Sequence, residues 1–326
     1  MLQKGGLAAA VLVAHELLSG NAVRQKVACG VIAILTVVKP CAAQPKTTPS
    51  QVEANAAAAQ NLPRPSMWKR HWPTFSAWEG AATVMAGVGT AALFLAGPPR
   101  EARWEGGILF DDAVRDGIRA DSDDGRKTAR GIGDIPYFAA PVLPLLVDPL
   151  LAAWLVRGDT KAALNLELVG LQSFAYSGLL SYGALRGVAR ERPDSSECRR
   201  QNPGDPSACE VDTESFFSGH TAIVATSAGL TCANHRYLPL WGHPLADAGA
   251  CLLATGGAVT TAITRVVGDR HYATDVLLGF GIGFGVGYAV PTLLHYSRGR
   301  NLEEVSVSVS PGGGCLGACL KVAGKF

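Results

Sequence analysis

Six apolar segments, several of them close to 20 residues long, constrain the fold of this chain more than any other feature. An α-helix needs about 20 apolar residues to cross a bilayer. The segments therefore predict an all-α, six-helix bundle that is embedded in a membrane. They cover residues 79–97, 136–156, 162–185, 219–234, 245–264 and 272–294.

The composition agrees with this prediction. Hydrophobic residues make up 48% of the 326 residues and charged residues only 17%, against a usual charged share of about 25%. The net charge of +2 is small, and no Lys/Arg run is interleaved with aromatic residues, which argues against nucleic-acid binding. A soluble but unusually apolar helical bundle stays open as the alternative.

The first 43 residues resemble a targeting segment. Arg24 and Lys26 precede the apolar run 27–38, and Ala43 ends a small-residue stretch of the kind that signal peptidases cleave. Residues 1–43 are therefore interpreted as a signal peptide, with an uncleaved anchor helix as the alternative.

The remaining segments outside the bundle differ in character. Residues 44–78 are rich in Ala, Pro, Gln, Thr and Ser and are interpreted as a linker. The bundle itself is assigned to residues 79–296. In the tail, 297–326, residues 304–310 alternate Val with Ser before a run of glycines, which predicts a short β-hairpin.

Two patterns concern individual helices. In the charged stretch 100–134, Asp111, Arg115 and Arg119 fall near helical spacing, which predicts a helix with a solvated face. In the last apolar segment glycine recurs every fourth residue, at positions 279, 283 and 287 and again at 281 and 285. This spacing predicts that helix backbones approach closely there.

The cysteines indicate one disulfide. Cys198 and Cys209 flank a polar loop that contains Pro and Gly, so a disulfide that closes this loop is expected in an oxidising compartment. Two free thiols are the alternative. No Cys/His spacing in the chain matches a zinc site.

Three short clusters contain residue types that bind and transfer an oxyanion. The third cluster holds Arg265, His271 and Asp275. A carboxylate four residues after a histidine can accept a hydrogen bond from one ring nitrogen and leave the other free to act as a nucleophile. Arg265 lies before Gly268, where the chain could fold its guanidinium over the histidine.

The other two clusters are less specific by themselves. Ser218 and Gly219 stand at the predicted start of a helix, where exposed N–H groups favour an anion, and His220 follows them. An ordinary Ser cap is the alternative. Arg190 and Arg192 precede Pro193, and guanidinium groups match phosphate oxygens, although arginines at a helix end are common.

Together the three clusters resemble the signature of the type 2 phosphatidic acid phosphatase superfamily, which also includes bacterial acid phosphatases and vanadium haloperoxidases. The family pattern is Lys-x6-Arg-Pro, Pro-Ser-Gly-His and Ser-Arg-x5-His-x3-Asp. This chain departs from the pattern at three positions. Leu185 replaces the lysine, Phe217 replaces the proline before Ser-Gly-His, and Thr264 replaces the serine before the arginine of the third motif. Arg186 is adjacent to Leu185 and is a candidate substitute for the lysine.

The resemblance implies a role for each matching residue. His271 would attack phosphorus to form a phosphohistidine, Asp275 would orient it, and His220 would protonate the leaving oxygen and later activate water. The residues expected to bind the phosphoryl oxygens are Arg192, Arg265, Ser218, Gly219 and, in place of the lysine, Arg186. Because arginines supply the positive charge, no metal or other cofactor is expected.

The function implied is metal-independent hydrolysis of a phosphomonoester or pyrophosphate, with a phosphorylated lipid as the expected substrate and the membrane as partner. An integral protein of a bacterial-type envelope with an extracytoplasmic site is expected. The alternatives are a soluble periplasmic acid phosphatase, a vanadium-dependent haloperoxidase and a catalytically silent membrane binding protein. A leader cleaved after Ala43 conflicts with an extracytoplasmic site if every apolar segment spans the bilayer.

Overall fold

Helices make up nearly all of the bundle in the computed structural model, which describes residues 65–205 and 208–297 together with the backbone of two short strands. The leader prediction for residues 1–43 lies outside the described residues. The helices are α1 Ala77–Leu95, α2 Asp111–Ile118, α3 Asp123–Ala139, α4 Thr160–Val188, α5 Pro193–Gln201, α6 Gly219–Tyr237, α7 Pro244–Val267 and α8 Ala273–Pro291. Two π-helical segments, Leu143–Val156 and Thr292–Tyr296, continue α3 and α8.

All six predicted apolar helices are confirmed, and the largest difference concerns the second. Helix α3 begins at Asp123, thirteen residues before the predicted start at 136, because its charged first half is also helical. The side chain of Ser122 caps it by accepting a hydrogen bond from Gly125 N–H at 3.1 Å. The predicted hairpin is also confirmed, since β1, Ser306–Pro311, pairs antiparallel with β2, Ala318–Ala323.

The chain runs six times between the two ends of the bundle. Helices α1 and α4 finish together, with Arg186 Nε donating to the Leu93 carbonyl at 3.0 Å. Helices α6 and α8 start together, with Ser218 N–H donating to the Asp275 carbonyl at 3.1 Å. We call this the site end, which comprises residues 186–220 and 265–275.

The opposite end, which we call the far end, comprises residues 65–76, 157–160, 237–244 and 292–297. Here Trp68 and Trp72 are 1% and 3% exposed and pack against Tyr296. The linker prediction is therefore wrong for residues 65–76, because these aromatic side chains bury their rings on the bundle instead of remaining in solvent.

The predicted solvated helix in the charged stretch is only partly correct. Helix α2 forms, but Asp111 and Arg115 are 0% and 6% exposed. Arg115 donates to both carboxylate oxygens of Asp269, at 2.6 and 2.9 Å. Since a buried charge needs a partner, α2 is fixed across the site end by these ion pairs.

Glycines bring α8 against α6, as predicted, but only one of the two glycine rows does so. A Cβ atom on Gly279, Gly283 or Gly287 would lie 2.7, 2.2 or 2.2 Å from a backbone oxygen of α6 or its cap. Nothing lies within 4 Å of such an atom on Gly281 or Gly285. The first row therefore allows close backbone packing and fixes α8 beside α6.

Four helical stretches of the described chain are long and apolar enough to cross a membrane: Ala77–Leu95, Asp123–Val156, Pro244–Val267 and Ala273–Tyr296. Their outer faces present large apolar side chains, and Met85 and Leu253, for example, are 72% and 74% exposed. A soluble protein rarely exposes so much apolar surface. These features identify an integral membrane protein, with α6 packed inside the bundle.

Two disulfides are present in the described residues. The expected pair, Cys198 and Cys209, is bonded with a Cα–Cα distance of 5.8 Å and joins α5 to the segment that leads into α6. Cys232 and Cys251 form a second disulfide between α6 and α7. The sequence does not indicate this second bond, because both cysteines lie in apolar helices with no distinctive spacing.

Candidate active site

A cavity of about 290 Å³ at the site end brings residues of all three clusters together. Arg192, Gly219, His220 and His271 line one side of it. The rest of the wall is mainly apolar or aromatic and comes from α1, α3, α4 and α6: Phe94, Tyr137, Phe174, Tyr182, Leu185 and Ile223. The cavity therefore joins a cationic, hydrogen-bonding region to an apolar one.

His271 lies between α7 and α8 and is 2% exposed. Its Nδ1 atom is 2.8 Å from the Ser215 carbonyl oxygen. Because a carbonyl can only accept a hydrogen bond, Nδ1 must hold the proton. The lone pair of the neutral imidazole is then on Nε2, as a nucleophile requires.

The expected hydrogen bond between Asp275 and His271 is not formed, so this part of the prediction is wrong. Helix α8 begins at Ala273 and not at His271, which places Asp275 in its first turn. The Asp275 carboxylate accepts hydrogen bonds from Ser215 Oγ at 2.6 Å and from Tyr272 N–H at 2.9 Å. Asp275 therefore supports His271 indirectly, through the residue whose carbonyl fixes the imidazole.

Arg190 belongs to this support and not to the cavity. It is 0% exposed and pairs with Asp275 at 2.6 Å and with Asp111 at 2.8 Å. The rings of Trp104 and Tyr272 cover its guanidinium at 4.1 and 4.0 Å. A buried charge with two carboxylate partners and two aromatic faces fixes the base of the site.

His220 lies in the first turn of α6 and is held by α3. The Asp134 carboxylate is 3.5 Å from its Nε2 atom, and the Tyr137 ring lies 4.2 Å from the imidazole. The same oxygen of Asp134 accepts a hydrogen bond from Arg265 Nη2. One carboxylate therefore contacts the second and third clusters together.

The two arginines expected to bind phosphate are largely buried: Arg192 lines the cavity, and Arg265 lies behind His220, joined to it through Asp134. Arg192 Nε lies 2.9 Å from Asp212. Arg265 is 5% exposed, and its Nε atom is buried without an acceptor in the described part of the chain. Both guanidinium groups are thus desolvated and fixed, which strengthens their attraction for an oxyanion.

Ser218 and Gly219 mark the start of α6, as predicted. Ser218 is the N-cap residue, and its Oγ accepts hydrogen bonds from Thr221 N–H at 3.4 Å and from Thr221 Oγ1 at 3.0 Å. The simpler interpretation, a Ser cap, thus describes this side chain. A Cβ atom on Gly219 would meet nothing within 4 Å, so the backbone there is open to the cavity.

Arg186 does not take the place of the missing lysine. Leu185 lines the cavity, whereas Arg186 donates to the Leu93 carbonyl at 3.0 Å and to Glu214 at 2.7 Å. Adjacent residues of a helix differ by about 100° in direction, so both side chains cannot face the same cavity. The apolar leucine is part of the wall beside the cationic region.

The electrostatics of the two histidines follow from burial and from the arginines. Burial, and after it the positive charge of Arg192, holds the pKa of His271 well below its usual value. Burial and then the charge of Arg265 lower the pKa of His220 to about 4, while the Asp134 carboxylate acts in the opposite direction. Both imidazoles are therefore neutral near pH 7 when the cavity holds no anion. The negative charge of a phosphoryl group in the cavity would favour protonation of His220.

The sequence patterns missed Ser215 and Asp134. Ser215 is three residues before the Ser-Gly-His cluster, but nothing in the sequence shows that its carbonyl faces a histidine 56 residues away. Asp134 is one of many acids in a charged stretch. In the described residues no group of three His, Cys, Asp or Glu side chains is arranged to hold a metal ion.

Comparisons with known proteins cover the region that holds this site. The chain is similar to the solved structure of a transmembrane PAP2 type phosphatidylglycerolphosphate phosphatase from Bacillus subtilis, with 21% identity, a TM-score of 0.42 and coverage of 69% of this chain and 98% of that chain. No curated protein matches. The family model of the PAP2 superfamily matches residues 169–298, which include all three clusters. Residues 169–298 are therefore the part of the chain that is similar to the PAP2 superfamily.

Proposed function

We propose that this integral membrane protein is a phosphatase that removes the phosphate of a phosphorylated lipid through a phosphohistidine at His271. The similarity of residues 169–298 to the PAP2 superfamily supports a phosphoester hydrolase. The observation that favours a lipid is the cavity, where His271, His220 and Arg192 meet a wall formed by Phe94, Leu185 and other apolar side chains.

The proposed reaction has two steps. The Nε2 lone pair of His271 forms a bond to phosphorus as the bond from phosphorus to the leaving oxygen breaks, and His220 gives its proton to that oxygen. His220 then takes a proton from water, whose oxygen displaces His271 and releases phosphate. Arg192 and Arg265 stabilise the charge on the phosphoryl oxygens, which is the largest contribution that a protein makes to this chemistry.

The proposed orientation places the site on the extracytoplasmic side. The Cys198–Cys209 disulfide supports this orientation, because it closes a loop at the site end and a disulfide persists in an oxidising compartment. Since the chain makes six passes, residues 65–76 are then cytoplasmic. This orientation is incompatible with a leader cleaved after Ala43, because such a leader would export the segment that precedes α1.

Phosphate release from purified protein in detergent tests the proposal. We expect hydrolysis of phosphatidic acid to exceed that of a water-soluble aryl phosphate, because only the lipid has acyl chains that can pack along the apolar wall of the cavity. His271→Ala should abolish release, and His71→Ala, which changes an exposed histidine at the far end, should not. Equal release by His271→Ala and wild type would refute the assignment.

The intermediate can be tested separately. In His220→Ala the second step lacks its base, so ³²P from a labelled substrate should accumulate on the protein as an acid-labile, base-stable phosphoramidate. The label should be absent from the double variant that also has His271→Ala. Label that persists in the double variant would place the nucleophile elsewhere.

A further inference from the structure

Helix α3 contacts the proton-transferring histidine although it lies outside the residues that match the family model, 169–298. Asp134 and Tyr137 are on the same side of α3, three residues apart. The carboxylate of Asp134 is 3.5 Å from His220 Nε2, and the ring of Tyr137 is 4.2 Å from the imidazole, tilted by 34°. Two side chains of α3 thus fix the position of one catalytic side chain.

The packing of α3 on α7 brings Asp134 beside His220. Gly133 faces the end of α7, where a Cβ atom would lie 2.4 Å from Thr264 Oγ1. The neighbouring Arg265 Nη2 donates to the Arg130 carbonyl at 3.3 Å and to the Asp134 carboxylate. Any residue larger than glycine at 133 would push α3 away, so the helix contact and the ion pair depend on each other.

The charges around His220 give Asp134 a specific effect. The charged and titratable groups around His220 are three arginines, one histidine, two tyrosines and two carboxylates: Arg192 before α5, Arg265 in α7, Arg270 and His271 before α8, Tyr137 and Asp134 in α3, Tyr182 in α4, and Glu214 before α6. The arginines oppose protonation of the imidazole, and the Asp134 carboxylate favours it. Asp134 is the carboxylate in contact with His220, whereas Glu214 pairs with Arg186 and Arg192. Removing the Asp134 charge therefore shifts the balance at His220 toward the neutral imidazole.

We propose that Asp134 is a positioning residue that keeps His220 able to hold the proton for the leaving oxygen and fixes the Nη2 edge of Arg265. The contacts leave Arg265 Nε, which is buried without an acceptor in the described residues, available to a phosphoryl oxygen. This inference rests on the proposed function. An ion pair with only a structural role would stabilise α3 against α7 but would not change how the activity depends on pH.

Asp134→Asn tests the proposal, because it keeps the shape and removes the charge. The kcat at pH 7 should fall about tenfold. The fall of kcat at alkaline pH should begin about one pH unit lower than in the wild type, since one pKa unit is a tenfold change in the protonated fraction of His220. Inhibition by inorganic phosphate should become stronger, because one negative charge beside the arginines is gone. Asp134→Glu, which restores the charge, should return the alkaline fall of kcat to nearly the pH of the wild type.

Asp124→Asn is the matched control, since it removes an exposed acid from the first turn of the same helix; its profile should follow that of the wild type. An equal fall of kcat at every pH, or a profile of Asp134→Asn identical to that of the wild type, would overturn the inference. These outcomes require an active wild type, whereas the proposed function fails if wild type and His271→Ala release phosphate equally.

Discussion

Two arginines near the site, Arg186 and Arg192, differ in what they touch, and this difference leads to a prediction. Arg192 lines the cavity, whereas Arg186 is held by the Leu93 carbonyl and Glu214. Arg192→Ala should lower kcat/KM by about a hundredfold or more, the usual loss when a donor to the transition state is removed. Arg186→Ala should lower it by less than about fivefold, as expected for a pair at a partly exposed site.

The measurement is phosphate release at several substrate concentrations, with the detergent-solubilised variants compared by gel filtration to verify their folding. If Arg186→Ala loses as much activity as Arg192→Ala, Arg186 contacts the phosphate after all and the cavity must rearrange when substrate binds. The double variant would then lose no more than either single variant, because residues that act as a unit are not additive.

The spacing of residues in the sequence predicted which residues form the site better than it predicted the contacts between them. His220, Arg192 and His271 line one cavity, as their spacing in three motifs suggests. The partner of His271 could not be predicted in this way, because it is a backbone carbonyl whose direction depends on how the loop before α6 meets α8. Asp134 lies 131 residues from Arg265, and only the packing of α3 on α7 brings them together.

At the scale of elements, the glycines of α8 provide a matched pair of substitutions. A methyl group at Gly283 would lie 2.2 Å from the Ala222 carbonyl oxygen of α6, whereas one at Gly285 would meet nothing within 4 Å. Gly283→Ala should destabilise the protein by about 1–3 kcal/mol through overpacking. It should also move α8 away from the start of α6, where Ser218 and His220 lie. Gly285→Ala should leave stability unchanged or raise it slightly, because Ala favours helix.

Thermal unfolding in detergent measures both variants under identical conditions. For a protein of this size a change of 1 kcal/mol shifts Tm by about 2–4 °C, so Gly283→Ala should unfold several degrees below the wild type. Phosphate release should fall with it, because the same helix contact sets the position of the site. Equal Tm values for the two variants would mean that α6 and α8 are not closely packed.

Apolar length predicted which segments are helices, and local charge misled in two places. The first half of α3 contains Asp123, Asp124 and Arg126 and has no apolar run, yet it is helical. Helix α2 has the spacing of a solvated helix, but its Asp111 and Arg115 face inward. The first half of α3 is stabilised locally, by the Ser122 cap and the Arg126–Asp123 ion pair. The buried residues of α2 pair instead with Asp269 and Arg190, which lie far along the chain and are not visible in a local pattern.

At the scale of the whole molecule, the six passes tie the location of the site to that of the rest of the chain. Asp124 lies in the first turn of α3, near the site end, and Lys161 lies in the first turn of α4, beside the far end. Both side chains are exposed. If the helices span a bilayer, these two positions lie on opposite sides of it. The proposed orientation places Asp124 outside the cytoplasm and Lys161 within it.

Labelling of introduced cysteines in intact cells tests this arrangement. A membrane-impermeant maleimide should label Asp124→Cys but not Lys161→Cys, and both should be labelled after the membrane is opened by detergent. The unsubstituted protein gives the background from its own cysteines. The reversed pattern would place the site in the cytoplasm and would agree with an exported segment before residue 65. Labelling of both variants in intact cells would show that the bundle does not span the membrane, because only then are its two ends equally accessible from one side.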